Sequence, residues 1–406
     1  MGRSERSTQS SRRPPTRRQI YRRRRITAGL GIAALAATLG AVAFALGRGN
    51  DPRAVGGAPP STTPISATIG QTSPATTPTT STTRPTDRVR IRFAATGDIV
   101  MGSLPYGLPP DGGRSFFDSI DSLLAGDVVM GNLEGTLATG GSSRCGSGGG
   151  PNCFAFRTPP SYAKWLAKAG YTLMNVANNH ALDFGSEGQR ETLAALRANG
   201  LRNTGRPGQI SVQTVKGVRV ATVGFAPYIW AASLTDIPAA KALVTEAAAQ
   251  ADIVVVIMHV GAEGSDATHV PPGSETYLGE PRGNSRAFTH AVVDAGADLV
   301  WGSGPHVLRG MEFYRGRLIA HSLGNFAGYK VFGLGGTLST SAVLQVTLSA
   351  NGGFVSGRVR PTQITKPGYP SPGGGAIALI RSLSNADFGV RGARIARNGA
   401  IRPGPR

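Results

Sequence analysis

The stretch Tyr171–Gly185, YTLMNVANNHALDFG, starts as an apolar run and ends in two asparagines and a histidine. YTLMNVANN (171–179) predicts a strand, and GQRETLAALRANG (188–200) predicts a helix closed by glycine. Between them, Asn178, Asn179 and His180 stand where a strand leaves the core. Open α/β sheets bind ligands at the carboxyl ends of their strands. The three side chains are therefore read as facing a site.

Outward from this stretch the same order repeats. VRIRFAATG (89–97), DVVMGNLEG (127–135), VRVATVGFA (218–226), DIVVVIMHVG (252–261) and ADLVWGSGPH (297–306) predict strands. SFFDSIDSLLAG (115–126), SYAKWLAKAG (161–170), AAKALVTEAAAQA (239–251) and SRAFTHAVVDAG (285–296) predict helices between them. Such alternation predicts an α/β domain with helices packed on sheet faces. The later strand-rich segments, around TSAVLQVTLSA and FVSGRVRPTQI, predict a second sheet or a mixed edge.

Polar residues recur at the strand ends: Asp98, then Asn132 and Glu134, then Asn178 to His180, then His259, His306 and His321. If the strands lie parallel in one sheet, these residues share one rim. Carboxylates and neutral imidazoles suit first-row divalent ions, here Mn, Zn or Fe, as one or two ions. Such a centre can activate water and stabilise the oxygens of a displacement at phosphorus or carbon. Asp183 has two open roles: cap of the next helix, or a hydrogen-bond partner that orients His180. Glu263, between Gly261 and Gly264, is a candidate proton donor or ligand. His269 and His290 are read as structural or surface residues.

The chain has 406 residues and a net charge of +20. The charge is concentrated at the ends: ten Arg against one Glu in residues 1–25, and six Arg against one Asp in residues 376–406. A nucleic-acid partner is therefore not expected. Residues 26–46 carry no charge and at ~1.5 Å per residue span about 30 Å, the thickness of a bilayer core. With RRRR at 22–25 before them, they predict a single-pass membrane helix that leaves the C-terminal domain extracytoplasmic. A cleaved signal peptide, with small residues around Ala41 and Ala43, is the rival reading. Residues 47–88, dominated by Pro, Ser and Thr, predict a disordered linker. Cys145 and Cys153, outside the cell, predict a loop-closing disulfide. The final residues 391–406 are expected to be a flexible Arg/Gly tail.

Six segments carry a family resemblance: ATGDIVMG (95–102), GNLEGTL (131–137), FRTPP (156–160), NVANNHALDFG (175–185), MHVGAEG (258–264) and GADLVWGSGPHVLRGMEFYRGRLIAHSLGNF (296–326). In this order they resemble the CapA-like family of poly-γ-glutamate capsule synthesis proteins, over about residues 89–390. The resemblance implies the calcineurin-like metallophosphoesterase fold, a sandwich of two mixed β-sheets flanked by helices. It implies Asp98, Glu134, Asn179, His180, His259 and His306 as metal positions; the candidate catalytic residues are His180 and Glu263. Val100 and Gly304 stand where such sites usually carry histidine, and His321 where relatives often carry tyrosine. The implied function is capsule polymer synthesis or export at the cell membrane. Its implied partners are an anionic polymer or other envelope substrate and capsule synthase subunits. Two classes of role are open: a metal-dependent hydrolase or transferase, and a non-catalytic assembly subunit that binds the polymer or its synthase.

Overall fold

The computed structural model describes residues 89–146, 150 and 152–405. The basic segment, the candidate membrane span at 26–46 and the linker lie outside them. Among the described residues, no helix is long and apolar enough to cross a membrane.

Strand β1 (Arg90–Val100) pairs in parallel with β2 (Val128–Leu133), which pairs in parallel with β3 (Leu173–Asn175) and so on to Arg202–Thr204. These strands form one end of a ten-stranded sheet, continued on the other side of β1 by long antiparallel strands. In a second, seven-stranded sheet, β4 (Val218–Ala226), β5 (Ile253–His259) and β6 (Leu299–Ser303) also run parallel. The strand-end residues thus come from two sheets, not from the single rim that the strand pattern alone suggested.

Side-chain alternation along the strands explains the layering. In β5, Ile253, Val255 and Ile257 join a core shared with Phe93, Val128 and Leu173 of the first sheet. Val254, Val256 and Met258 face away, onto a core with Val244 and Phe288. Val244 lies on helix α3 (Ile237–Gln250) and Phe288 on α4 (Ser285–Asp294). Helices α1 (Ala163–Lys168) and α2 (Gly185–Ala198) cover the outer face of the first sheet in the same way, through Leu166 and Leu196. A strand covered on both faces reads as an unbroken apolar run, as IVVVIMH does. The result is a sandwich of two mixed sheets flanked by helices.

Two expectations are corrected. Residues 115–126 form turns and a short 3-10 segment at Asp121–Leu123 rather than a helix. Phe116, Phe117, Ile120 and Leu124 are buried as the spacing requires. However, Ser119 donates to the Pro370 carbonyl and Asp121 accepts the Ser122 amide. An aspartate that bonds a neighbouring amide in this way offers a local alternative to the helix ladder, and Ser119 ties the segment to the remote strand Tyr369–Pro372 instead.

The second correction concerns the C-terminal tail, which is ordered. Arg394–Ile395 and Ala400–Arg402 form a hairpin that pairs with the strand Phe354–Thr365. Ala393, Ile395 and Ile401 are buried in the core between the sheets. Asn398-Gly399, with Gly399 at φ 83°, is the turn signal that makes this segment a hairpin. Ile401→Ala is therefore expected to cost about 2–5 kcal/mol, the range for a truncated core aliphatic. Denaturant unfolding of the wild type and the variant checks it; an unchanged midpoint would contradict the packing.

Candidate metal centre

The two sets of parallel strands end at one edge of the sandwich, and the polar residues meet there. Asp98 follows a bulge in β1, where the register to β2 shifts between Thr96 and Asp98. A side chain at Gly97 would collide with the carbonyl of Gly324, so glycine lets that backbone approach. Bulges of this kind re-aim a side chain. Asn132 ends β2 with Leu133, and Glu134 follows. His259 closes β5. His306 sits in the turn after β6 at φ 62°, a left-handed conformation that non-glycine residues adopt rarely and often at functional sites.

Asp98, Glu134 and His306 bring potential ligand atoms within 4.8 Å of one another. His306 Nδ1 lies 3.2 Å from Asp98 Oδ2 and 3.7 Å from Glu134 Oε2. His259 Nε2 lies 3.8 Å from Glu134 Oε1, and its Nδ1 lies 3.9 Å from Asp98 Oδ1. His259 Nδ1 lies 3.2 Å from the Ser303 hydroxyl and 3.4 Å from the Asn132 amide nitrogen; an ion on Nε2 requires the tautomer in which Nδ1 donates to Ser303. Asn179 borders this group and donates to Glu263 Oε1 at 3.5 Å. Glu263 Oε2 in turn lies 3.7 Å from His306 Nε2.

His180 is placed differently. Its Nδ1 lies 2.8 Å from Asp183 Oδ2, and it is not among the three residues whose ligand atoms converge. Asp183 also accepts the Phe156 amide at 2.6 Å and pairs with Arg144 at 3.0 Å. Of the two readings of Asp183, orientation of His180 is the one realised; no side chain caps α2. Because a carboxylate only accepts, it fixes Nδ1 as the protonated nitrogen and leaves Nε2 as the proton acceptor. Asp183→Ala would strand two buried donors, the Phe156 amide and His180 Nδ1, and remove the charge that faces Arg144. The expected cost is about 3–5 kcal/mol, to be read as a lowered melting temperature; a change near zero would contradict this network.

Burial and mutual charge set the protonation states. Burial, reinforced by the negative charge of Asp98, pushes the Glu134 carboxyl up to about 8. Burial works against a charged His306, but Glu134 and Asp98 outweigh it and raise the imidazole to about 9. Asp98 is raised by burial but lowered more by His306, His259 and Asn132, and stays below the usual carboxylate range. Burial, only partly opposed by Asp98, takes His259 down to about 3. Burial also lowers His180.

The donor set fits a divalent ion on an independent ground. Both oxygens of Glu134, His259 Nε2 and Asn179 Oδ1 are buried with no hydrogen-bond partner. Native interiors rarely leave such atoms unpaired, and several together indicate a polar partner such as an ion. The Glu134 and Asn179 oxygens are acceptors, and His259 Nε2 is one in the Nδ1-protonated tautomer, which is what a cation requires.

Around this group, Asn132 donates to Asp98 at 2.7 Å and accepts from Asn175 and Asn178 at 2.8 and 3.1 Å. Asn178 thus braces the site instead of entering it. Reading from the sequence missed four contributors: Asn175, Arg144, Arg282 and Asn325. Asn325 lies 2.8 Å from His306 Nδ1. It opens the short strand Asn325–Gly328, which pairs in parallel with β1 beside Asp98, so a rule based on strand ends does not reach it. Arg144 precedes Cys145, and the expected Cys145–Cys153 disulfide is present. Its guanidinium donates to the Asn179 carbonyl at 2.6 Å, a long-range contact with no periodic signal.

The remaining histidines lie elsewhere. His321 is fully buried between Ser285 and Glu312 and stacks on Phe388. It packs and does not reach the centre. His290 bonds Glu312 and His269 bonds Asp387. At Gly304, φ is 114° and a Cβ would lie 2.9 Å from the Val260 amide nitrogen, so no side chain fits there. Val100 is buried and offers no donor.

A family model described as "Bacterial capsule synthesis protein PGA_cap" matches residues 92–330. The chain belongs to that family. The chain is similar to the "PGA biosynthesis protein CapA" of Bacillus subtilis, at 32% identity over 288 residues that span 66% of this chain and 70% of that protein. It is also similar to a "Probable polyglutamine synthesis accessory protein" of Mycobacterium tuberculosis, at 29% identity over 70% of this chain and 79% of that protein. Among solved structures it is similar to a 5'-nucleotidase precursor from Thermus thermophilus. That match has 14% identity and a TM-score of 0.37, and covers 70% of this chain and 54% of the nucleotidase. The PGA_cap match contains every residue of the converging group.

Proposed function

We propose that this PGA_cap protein is a membrane-anchored, extracytoplasmic enzyme with a metallophosphoesterase-like site. In this reading it hydrolyses or transfers a bond in a capsule polymer of the poly-γ-glutamate type. One observation carries the reading: the partnerless buried acceptors of Glu134, His259 and Asn179 beside the Asp98–His306 pair. Asp98, Glu134, Asn179, His259 and His306 would hold one or two divalent ions, of Mn, Zn or Fe. A bound ion supplies a Lewis acid that lowers the pKa of water and balances charge on the reacting oxygens.

The chain's own residues supply the rest. Asn132 fixes the Asp98 carboxylate, and Asn325 and Asp98 hold the His306 ring. In this reading His180, oriented by Asp183 and with its charged form disfavoured by burial, would take a proton on Nε2 and return it to a leaving group. The polymer, or another anionic envelope substrate, and synthase subunits are the partners this function requires.

A specific observation favours a second reading. Val100 and Gly304 reduce the number of possible ligands, which fits a non-catalytic assembly subunit that keeps the site for binding. Elemental analysis of the full chain, with assays on γ-glutamyl chains and phosphodiesters, separates the two. The enzyme reading expects bound metal and an activity that Asp98→Ala and His180→Ala each reduce by roughly 100-fold or more. Metal-free protein, or full activity in both variants, would refute it.

A further inference from the structure

Arg282 is buried, with its side chain 2% exposed, yet its guanidinium is incompletely used. It lies on the strand Glu280–Gly283 of a small hairpin that belongs to neither main sheet. One arm pairs with Glu263 and the other donates to the Tyr228 hydroxyl. Its Nε has no partner. Arg309, whose partner Glu275 is on the same hairpin, offers a contrast. It holds Glu275 with two bonds of 2.8 and 2.7 Å and gives its Nε to the Ala267 carbonyl. Arg309 is thus a satisfied structural pair, and Arg282 is not.

The acid that Arg282 holds is also unusual. Glu263 is 15% exposed, on a loop whose glycines 261 and 264 take φ of 102° and 127°. Its carboxylate gathers Arg282, the Asn179 amide and the ring of His306. These are the donors that an anion beside the candidate metal centre would meet. Tyr228 stacks on Trp230, whose indole nitrogen donates to the Asn178 carbonyl at 3.0 Å, so the pocket is tied to the Asn179–His180 turn.

We infer that Arg282, with Tyr228 and Asn179, forms a receptor for a substrate carboxylate, and that Glu263 fills it as an intramolecular stand-in. The inference deepens the function proposed above and rests on it for the choice of substrate. In a γ-linked glutamate chain, a free carboxylate is bonded to the same carbon as the amide nitrogen. A receptor at the edge of the metal centre would therefore read the group that flanks the bond to be cut. A guanidinium matches a carboxylate with two parallel hydrogen bonds, which the unused Nε makes available.

Calorimetry on the full chain tests this, with γ-glutamylglutamate and inorganic phosphate as probes, with and without Mn2+. Arg282→Met is expected to weaken dipeptide binding roughly 10- to 100-fold. Glu263→Gln removes the competing charge and is expected to tighten it by roughly 10-fold. Uptake of Mn2+ is expected to persist in both variants, weakened by no more than roughly 10- to 100-fold, because Glu263 touches His306 and Asn179 from outside the ligand group. If the wild type takes up no Mn2+ but the dipeptide shows the same dependence on both residues, the metal reading falls and the receptor stands. Should Arg282→Met fail to fold, Glu263→Gln decides alone: tighter binding supports the receptor, and unchanged or weaker binding overturns it. Phosphate binding tenfold or more above the dipeptide would overturn the carboxylate assignment.

Discussion

Glu134→Gln is expected to abolish tight uptake of a divalent ion while the metal-free protein melts no lower than wild type. The two halves have opposite physical origins. Both carboxylate oxygens of Glu134 are buried without partners, so the metal-free fold holds an acid that makes no bond and would be unstable as an anion. Its carboxyl responds by rising to about 8. Glutamine has the same shape and no charge to bury, and the backbone amide at 134 still donates to the Ile99 carbonyl at 3.0 Å. With its carboxyl raised to about 8, Glu134 is already largely protonated at pH 7, so glutamine replaces a neutral group of the same shape and the metal-free fold loses little.

In the presence of an ion the balance reverses. A ligand at a thousand times its dissociation constant stabilises the native state by about 4 kcal/mol. Loss of even an outer-shell partner weakens metal sites by roughly 10- to 100-fold, and loss of a ligand by more. Melting curves with and without Mn2+ or Zn2+ read both effects at once. A metal-induced rise in Glu134→Gln equal to that of the wild type would remove Glu134 from the site.

The parts of this centre that the sequence revealed are those set by local rules. Asp98, Glu134, His259 and His306 each end an apolar run, and parallel strands must deliver such residues to a common edge. The pairing of the two sheets was not legible from alternation, because β5 is apolar on both faces and names no neighbour. Arg282 and Arg144 were hidden for a different reason. Each acts through contacts to residues remote in sequence, Glu263 and Asp183, and an arginine in a glycine-rich loop looks like a solvated charge. The tail hairpin was legible but overlooked: its arginines mask the alternation of Ala393, Ile395 and Ile401, and Asn398-Gly399 was the signal. The failed helix at 115–126 shows the converse. Correct apolar spacing did not produce a helix where Asp121 bonds the local backbone and Ser119 is held by a remote strand.

Metal affinity is expected to rise steeply with pH, by up to about 100-fold per unit between roughly pH 6 and 8, and then to flatten near pH 9. The reason lies in which ligands carry protons. Asp98 is held below the usual carboxylate range and is already ionised, and His259, at about 3, is already neutral. Neither costs a proton. Glu134 and His306, raised to about 8 and about 9, each hold a proton at pH 7 that an incoming ion must displace. Binding should release about two protons per ion at that pH, with the pair titrating as a unit.

The metal-free protein should move the opposite way. Both groups bind more protons folded than unfolded, so its stability falls as pH rises. For Glu134 the loss runs from its ordinary 4.5 to about 8. For His306 it runs from 6.5 to about 9. The metal-induced gain in melting temperature therefore grows over the same range in which the metal-free melting temperature drops. Calorimetry in two buffers of different ionisation heat counts the protons directly. A count near zero at pH 7, or an affinity that does not depend on pH, would mean that His306 and Glu134 do not share an ion.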